Sequence, residues 1–245
     1  SLAKDRVGGS PEEKQELFEQ AIAAHLDVFS IEGCPPPTVK NKWARFNLKP
    51  GAVPTARQPI PLSPFDDLRV EFHIEQNLYE GRLRKIEPTK GEPLPEWATP
   101  VFVVVDQDAK GLLGRLVCAH ALVNAAMEQP AFLSADPQRA FDMAAGKEHH
   151  TVVDAIWGYT QFLLDEETRK LLVVCARSGL YEWARMPFGP APAPAEMQSY
   201  IAGKFGTLRD DKGQEFVSPC MDDLKVSSAT LADHVDDLRI LMATA

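Results

Sequence analysis

The chain begins with a segment whose apolar residues recur at helical spacing. Between residues 10 and 29, Phe18, Ile22, Leu26 and Phe29 fall near one face of a helix, which predicts an amphipathic helix. The start of this helix is marked by a capping signal made of Ser10, Pro11 and Glu13.

A second helix is predicted over residues 63–81. Ser63 followed by Pro64 is a helix-start signal, and Gly81 comes just after the last turn, where glycine commonly ends a helix. The apolar residues expected on its inner face are Leu68, Phe72 and Tyr79.

Short apolar runs predict strands among further helices. The β-branched run at 101–105 is typical of a buried strand, and 115–119 is the expected hairpin partner. Other strands are expected near 150–156, 159–164, 171–176, 180–185, 214–219 and 224–228. Further helices are expected at 135–145, 192–206 and 229–243. This order of strands and helices indicates an α+β fold.

Composition and charge place limits on function. A chain of 245 residues with 44% apolar and 25% charged residues is long enough to bury a substantial core. Its net charge of −9 argues against tight, unaided binding of duplex nucleic acid, because such binding relies on Lys and Arg that neutralise phosphates. No run approaches the roughly 20 apolar residues of a membrane span, so none is expected.

The four cysteines favour a reducing intracellular compartment, which the sequence does not identify further. None of them forms a Cys-x-x-Cys pair, and their spacing matches no zinc pattern. Residues 1–6 also lack the apolar core of a signal peptide.

One acidic pair is distinguished by the motifs that accompany it. Asp-Asp pairs occur at 66–67, 210–211, 222–223 and 236–237. The pair at 222–223 differs from the others because it is the last member of a series of short motifs in fixed order. The motifs are Leu48-Lys49-Pro50-Gly51, Trp97-Ala98-Thr99-Pro100-Val101, Val153-Asp154-Ala155, Met186-Pro187-Phe188-Gly189 and Ala193-Pro194-Ala195. Over residues 29–242 this order resembles the reverse transcriptase region of gypsy-type LTR retrotransposons, as a working or a degenerate, domesticated copy.

The resemblance implies a reverse-transcriptase-like fold with fingers and palm subdomains. The expected palm is an antiparallel sheet backed by helices. The corresponding division is an N-terminal helix and Pro-rich linker at 1–37, fingers at 38–130 and palm at 131–245. The sequence ends at Ala245, just after the expected palm helix, so no thumb is expected.

The resemblance also implies a two-metal site for nucleotidyl transfer. Asp154, Asp222 and Asp223 would be the catalytic carboxylates and would hold Mg²⁺, or Mn²⁺ in its place, because both ions prefer oxygen ligands. An RNA or DNA template with its primer would be the partner of an active enzyme. The residues expected to bind the nucleotide are Arg115, Tyr159, Phe188, Gly189 and Gln198.

Several positions depart from the family pattern. The fingers place Asp106 and Asp108 where lysines that grip a triphosphate are usual, and Ala119, His120 and Ala121 replace the family's Asp, Tyr and Arg. In the palm, Pro219 is expected at an interior strand position and Lys225 replaces an apolar residue.

Two readings therefore remain open. In the first, the chain is the fingers and palm of an RNA-directed DNA polymerase, weakly active or inactive as this fragment. In the second, it is a non-catalytic scaffold subunit with protein partners in a larger assembly. Under the second reading the three carboxylates are solvated or paired with neighbours such as Lys225, and Tyr159 is a packed ring. His149-His150 is expected to be an ordinary strand start, because adjacent strand residues point to opposite faces.

Overall fold

The computed structural model describes residues 9–29, 34, 37–87, 91, 93–105, 113–130, 137–220 and 222–245. Helices and strands follow one another along these residues as an α+β fold. The helices are α1 (Pro11–Leu17), α2 (Pro64–Tyr79), α3 (Ala121–Ala126), α4 (Pro137–Ala144), α5 (Glu166–Leu171), α6 (Ala193–Phe205) and α7 (Leu231–Thr244). The strands are β1 (Trp43–Ala44), β2 (Leu83–Ile86), β3 (Thr99–Val104), β4 (Arg115–Cys118), β5 (His149–Asp154), β6 (Leu163–Leu164), β7 (Val173–Ala176), β8 (Gly179–Trp183), β9 (Val217–Cys220) and β10 (Asp223–Ser228).

Among the described residues, the chain divides into two compact units. Unit 1 comprises Ser1–Pro36, Phe132–Gly158 and Pro194–Ala245, and unit 2 comprises Pro37–Ala131 and Tyr159–Ala193. The fingers and palm boundaries drawn from the sequence stay a prediction. Along the described segments, no helix combines the length and apolar character that a bilayer crossing requires.

The first helical segment starts as predicted but does not continue as one regular helix. The Ser10 side chain accepts a hydrogen bond from the Glu13 amide, and the Glu13 carboxylate accepts one from the Ser10 amide, which completes the capping box. After α1 the backbone widens into a π-helical turn at Phe18–Ile22 and then tightens into a 3-10 stretch at Ala23–Val28. The expected apolar face is wrong in part, because Phe18 and Leu26 are exposed and Ala21 is buried.

Helix α2 begins at its predicted cap, where the Ser63 hydroxyl accepts a hydrogen bond from the Asp66 amide. Its predicted inner face is wrong. Leu68, Phe72 and Tyr79 are exposed, and the residues that α2 buries are Val70 and Ile74.

Unit 2 is built on a five-stranded sheet in the order β2-β8-β7-β3-β4. The predicted hairpin of β3 and β4 is confirmed, since Val101 pairs with Cys118 in an antiparallel ladder. The strand expected at 159–164 is mostly wrong, because Gly158–Gln161 forms a 3-10 turn and only β6 is extended. Helix α5 was not predicted and starts at Asp165, whose carboxylate accepts from the Thr168 amide.

Unit 1 contains a three-stranded antiparallel sheet in the order β5-β10-β9, with α7 packed against one face. Leu224 and Val226 of β10 point to this face and are buried with Leu238 of α7. Asp223 and Lys225 alternate with them and therefore point to the opposite face, where the Lys225 ammonium lies 5.8 Å from the centre of the Phe141 ring.

The position of Pro219 corrects one expectation from the sequence. Pro219 lies in β9, which is an edge strand of the described sheet and pairs only with β10. A proline lacks a backbone donor, but an edge strand tolerates that loss because one side of it needs no ladder hydrogen bonds. Pro219 is therefore compatible with an intact sheet.

A buried polar network joins α7 to the strands of this sheet. The Ser228 hydroxyl donates to the Asp237 carboxylate at 2.6 Å, so its oxygen accepts from Nδ1 of His234 at 2.9 Å. Nε2 of neutral His234 then accepts from the Thr151 hydroxyl at 2.8 Å. The network fixes the tautomer of His234 and ties β5, β10 and α7 together.

The adjacent histidines of β5 confirm the expected alternation. The His149 ring lies 6.0 Å from the His234 ring on the α7 side, whereas Nδ1 of His150 is 2.9 Å from the Ser227 hydroxyl on the other side. Burial, together with the nearby His149 and His150, lowers the pKa of His234 from 6.5 to about 4. Burial raises the pKa of Asp237.

The first prediction concerns the pH dependence of stability. Because His234 has a folded pKa of about 4, the unfolded chain binds more protons between pH 4 and pH 6.5. The free energy of unfolding should therefore fall by roughly 3 kcal/mol from this group as the pH is lowered through that window. Denaturant titrations at several pH values should show that the free energy of unfolding falls less with decreasing pH in His234→Asn than in the wild type.

Two other groups and one control complete this test. Burial also lowers the pKa of His120 to about 4. His120 therefore also decreases the free energy of unfolding as the pH is lowered, and His234→Asn does not remove this contribution. Asp237 contributes with the opposite sign, because its raised pKa makes the folded state bind the extra proton. Val53→Ala, at an exposed position without a titratable group, should leave the slope unchanged. An equal slope in wild type and His234→Asn would contradict the assignment.

Candidate functional site

The pairing of β5 with β10 brings two of the three predicted catalytic carboxylates opposite each other. Asp223 is the direct partner of Asp154 in the antiparallel register. The ladder continues one step further, where the Ala155 amide donates to the Asp222 carbonyl oxygen at 2.8 Å. Directly opposed residues have Cβ atoms about 5 Å apart and share a face, so residues 69 positions apart in the chain meet here.

The electrostatics of Asp154 reflect this arrangement. Partial burial raises the pKa of Asp154 first, and the neighbouring carboxylates of Asp222 and Asp223 raise it further. All three residues are exposed, so water screens much of the repulsion. A cation bound among them would offset both the cost of partial burial and the repulsion between the carboxylates.

These carboxylates form an open site. Among the described residues, no group of three or more His, Cys, Asp or Glu side chains converges closely enough to enclose a metal ion. Mg²⁺ seldom needs such a cage, because it keeps several waters and is commonly held by one or two carboxylates together with substrate phosphates. The hard oxygen donors at 154, 222 and 223 fit that mode of binding.

The turn that follows Asp154 is strained and closely packed. Trp157 has φ of +53°, a left-handed conformation that costs about 1–2 kcal/mol for a residue other than glycine. At Gly158 a Cβ atom would lie 2.3 Å from the Met197 methyl group, so a larger residue there would require the end of the Met197 side chain to move. Gln198, predicted to bind the nucleotide, is the next residue of α6 and is half-buried.

Three of the predicted nucleotide-binding residues lie together in unit 2. The rings of Tyr159 and Phe188 are 4.8 Å apart at 60°, and Phe188 is 56% exposed. Gly189 follows Phe188 with φ of +107°. Arg115 lies elsewhere in this unit, exposed at the start of β4 opposite Val104.

Sequence reasoning missed the residues that hold the Phe188 loop. The Asn124 side chain donates to the Gly189 carbonyl at 2.9 Å and accepts from the Ala191 amide at 2.9 Å. His120, one turn earlier, is buried, and its Nδ1 would lie 2.8 Å from a Cβ atom at Gly189. The one indication in the sequence was that Asn124 stands where the reverse transcriptase stretch that contains positions 119–121 also has an Asn.

Comparison with known proteins gives consistent sequence relatives. An enzymatic polyprotein of Cauliflower mosaic virus (strain D/H) is 27% identical over 220 residues, which cover 88% of this chain and 31% of the polyprotein. The retrovirus-related Pol polyprotein from transposon 297 of Drosophila melanogaster is 25% identical over 193 residues, covering 77% of the chain and 17% of that protein. The chain thus spans a third or less of these relatives. No protein-family model matches it.

Solved structures show the fold. A crystal structure of prototype foamy virus protease-reverse transcriptase, a CSH mutant, matches with a TM-score of 0.74 at 18% identity, covering 96% of this chain and 30% of that one. The foamy viral enzyme in complex with an RNA/DNA hybrid matches with a TM-score of 0.73 at 15% identity, covering 98% and 30%. This chain carries a reverse-transcriptase-like region. The expected α+β reverse-transcriptase fold is confirmed.

The second prediction concerns charge repulsion between the candidate carboxylates. Without divalent metal and at low salt, Asp223→Asn should raise the free energy of unfolding by roughly 0.2–1 kcal/mol, because it removes one of two directly opposed like charges. The gain should shrink in about 1 M salt, where the Debye length is about 3 Å. Chemical denaturation measures it, and a similar gain in Asp27→Asn, at an exposed position of unit 1, would refute the interpretation.

The third prediction concerns the clamp on the Phe188 loop. Asn124→Ala should lower the free energy of unfolding by about 1–3 kcal/mol, because two hydrogen bonds to the backbone are lost. Amide hydrogen exchange at Ala191 should accelerate in the same variant. Asn124→Asp keeps the acceptor for the Ala191 amide and should leave that amide more protected than the alanine variant does. Equal exchange in all three proteins would show that Asn124 does not hold the loop.

Proposed function

We propose that this chain supplies the fingers and palm of a gypsy-type RNA-directed DNA polymerase. The observation that carries the proposal is the register of β5 and β10, which sets Asp154 opposite Asp223 with the Asp222 backbone bonded to Ala155. The order of motifs along the chain and the relatives among Pol polyproteins support it.

In the proposed reaction the three carboxylates have one task, which is to hold two divalent cations. Asp154 and Asp222 would be the principal residues that hold these cations, and Asp223 would support them. Bound Mg²⁺ would supply charge stabilisation for the attacking and leaving oxygens of nucleotidyl transfer. Partial burial first, and then the carboxylates of Asp222 and Asp223, raise the pKa of Asp154. Carboxylates held together in this way gain from any cation that enters.

The paired rings of Tyr159 and Phe188 are assigned to the nucleotide. Their edge-inclined contact at 4.8 Å makes an apolar surface against which a sugar can pack. Asn124 and His120 fix the loop that carries Phe188, so they would position this surface without touching the nucleotide. Gly189, Gln198 and Arg115 are the other residues that we assign to nucleotide binding.

A structure of the foamy viral protease-reverse transcriptase is in complex with an RNA/DNA hybrid, and we assign a template with its primer to this chain as well. With a net charge of −9, the chain has no excess of Lys and Arg to neutralise phosphates, so its grip on the duplex should be weak. Asp106 and Asp108, which lie outside the described residues, stand in the sequence where lysines are usual and would weaken the hold on a triphosphate.

The second candidate function is a non-catalytic scaffold. It is favoured by His120, which is buried with neither ring nitrogen hydrogen-bonded to any residue that the structure describes. An unpaired buried imidazole costs about 1–3 kcal/mol, and this one lies between Ala119 and Ala121, where the family pattern places charged residues. Loss of a charged pair in the fingers is what relaxed selection for nucleotide binding would produce.

The fourth prediction separates these functions. The chain should extend a DNA primer on a homopolymer RNA template with Mg²⁺ or Mn²⁺, measured at low salt and high enzyme concentration because the duplex is held weakly. Asp222→Asn and Asp154→Asn should each lower the rate by at least about 100-fold, since a ligand of the metal is lost.

A matched variant and a binding measurement complete the test. Asp211→Asn, in another Asp-Asp pair, should extend primers at the wild-type rate. Thermal stabilisation by Mn²⁺ should be present in wild type and reduced in Asp222→Asn. If no extension occurs and Mn²⁺ stabilises both proteins equally, the polymerase proposal fails and the scaffold function stands.

A further inference from the structure

Helix α2 carries a row of large apolar side chains that the protein leaves exposed. The exposed fractions of Phe65, Leu68, Phe72 and Tyr79 are 56%, 68%, 45% and 85%. Their spacing places them along one side of the helix. We name these four residues the α2 stripe.

The α2 stripe is not the face by which α2 joins its own unit. That face carries Val70 and Ile74, which are 2% and 1% exposed, and it packs toward β2 and β3. With about 150–250 Å² in each aromatic side chain, the α2 stripe exposes on the order of 400–500 Å² of mostly apolar surface. Exposed patches of this size commonly mark interaction sites.

Acidic residues form one border of the α2 stripe. Asp67, Glu71 and Glu75 are four residues apart and therefore form a ridge beside it. Arg177 neutralises Asp67 through a contact of 3.1 Å. On the other border, Arg69 contacts the Asp66 carboxylate at 2.8 Å and lies 4.2 Å from the centre of the Phe65 ring.

This charge pattern decides what kind of partner fits. Nucleic acid and anionic membrane are both repelled by the acidic ridge and by the net charge of −9. A second copy packed antiparallel through the α2 stripe would set Glu71 and Glu75 beside the same residues of the other copy. A segment with apolar anchors and a row of Lys or Arg complements both the stripe and its border.

We propose that the α2 stripe is the docking site for an amphipathic helix of another protein. The apolar residues of that helix pack on Leu68, Phe72 and Tyr79, and its basic row faces Glu71 and Glu75. Binding of this kind is independent of nucleotidyl transfer, so it belongs equally to a polymerase and to a scaffold.

The fifth prediction tests this surface with two synthetic peptides. Both are about 18 residues long, or five helical turns, with the same leucines at i, i+3 and i+7. One has lysines and the other has glutamates in the flanking positions. Fluorescence anisotropy with the full chain should show binding of the lysine peptide with a Kd on the order of 10 μM, and at least about tenfold weaker binding of the glutamate peptide.

Substitutions then locate the site. Leu68→Asp, at a position that is already exposed, should weaken binding of the lysine peptide by about tenfold or more. Glu71→Lys with Glu75→Lys should weaken it by about fivefold or more, because the complementary border is reversed. Glu166→Lys with Glu167→Lys, an exposed acidic pair on α5, is the matched control and should bind as wild type does. Circular dichroism should show that each variant is folded.

Three outcomes would overturn the proposal. The first is that the charge reversals on α2 and on α5 weaken binding of the lysine peptide equally, which would mean that binding depends on net charge alone. The second is a dimer in analytical ultracentrifugation that Leu68→Asp dissociates, which would assign the α2 stripe to a second copy. The third is binding to vesicles with 30% anionic lipid that is lost in Leu68→Asp.

Discussion

The antiparallel register of β5 and β10 is the constraint on which the candidate site depends. A shift of one residue would move Asp223 to the face packed on α7 and would bring Leu224 to the exposed face. Side-chain hydrogen bonds on both faces oppose such a shift. His150 contacts Ser227 on one face, and Thr151 reaches Ser228 through His234 on the other. The register that sets Asp154 against Asp223 is thus fixed several residues away from the carboxylates.

This separation lets the sheet keep an unfavourable pair of charges. Opposed carboxylates weaken a strand pair, and the left-handed backbone at Trp157 adds strain beside them. Burial of Leu224, Val226 and Leu238 against α7 stabilises the same strands from behind. The packing that stabilises these strands therefore lies under the sheet, and the candidate carboxylates lie at an exposed position on the opposite face. That division is typical of functional sites, where local strain is maintained by rigid surroundings.

Sequence reasoning succeeded where local chemistry decides the structure and failed where tertiary packing decides it. The caps at Ser10 and Ser63 follow from hydroxyl hydrogen bonds within one turn, so they could be predicted. The face of α2 could not be predicted, because two apolar rows share the helix and only the sheet determines that Val70 and Ile74 are buried.

Pro219 gave a misleading signal, since edge and interior strands differ only in their neighbours. The motif order led to the prediction that Asp154 and Asp223 belong to one site, and the strand register sets them opposite each other. The contacts of Asn124 depend on a loop 65 residues away.

The segment that departs from the reverse transcriptase pattern at Ala119 and Ala121 also carries the residue that holds the Phe188 loop. Ala119 and Ala121 remove charge from the start of α3, yet Asn124 in the same helix still holds Gly189 and Ala191. Buried His120 still lies close against Gly189. The loop is therefore held by backbone hydrogen bonds and close packing, neither of which needs an ion pair. The contact between the Tyr159 and Phe188 rings can therefore persist without charged residues at 119 and 121. Under the polymerase proposal, this arrangement favours weak nucleotide affinity beside an intact register of Asp154 and Asp223.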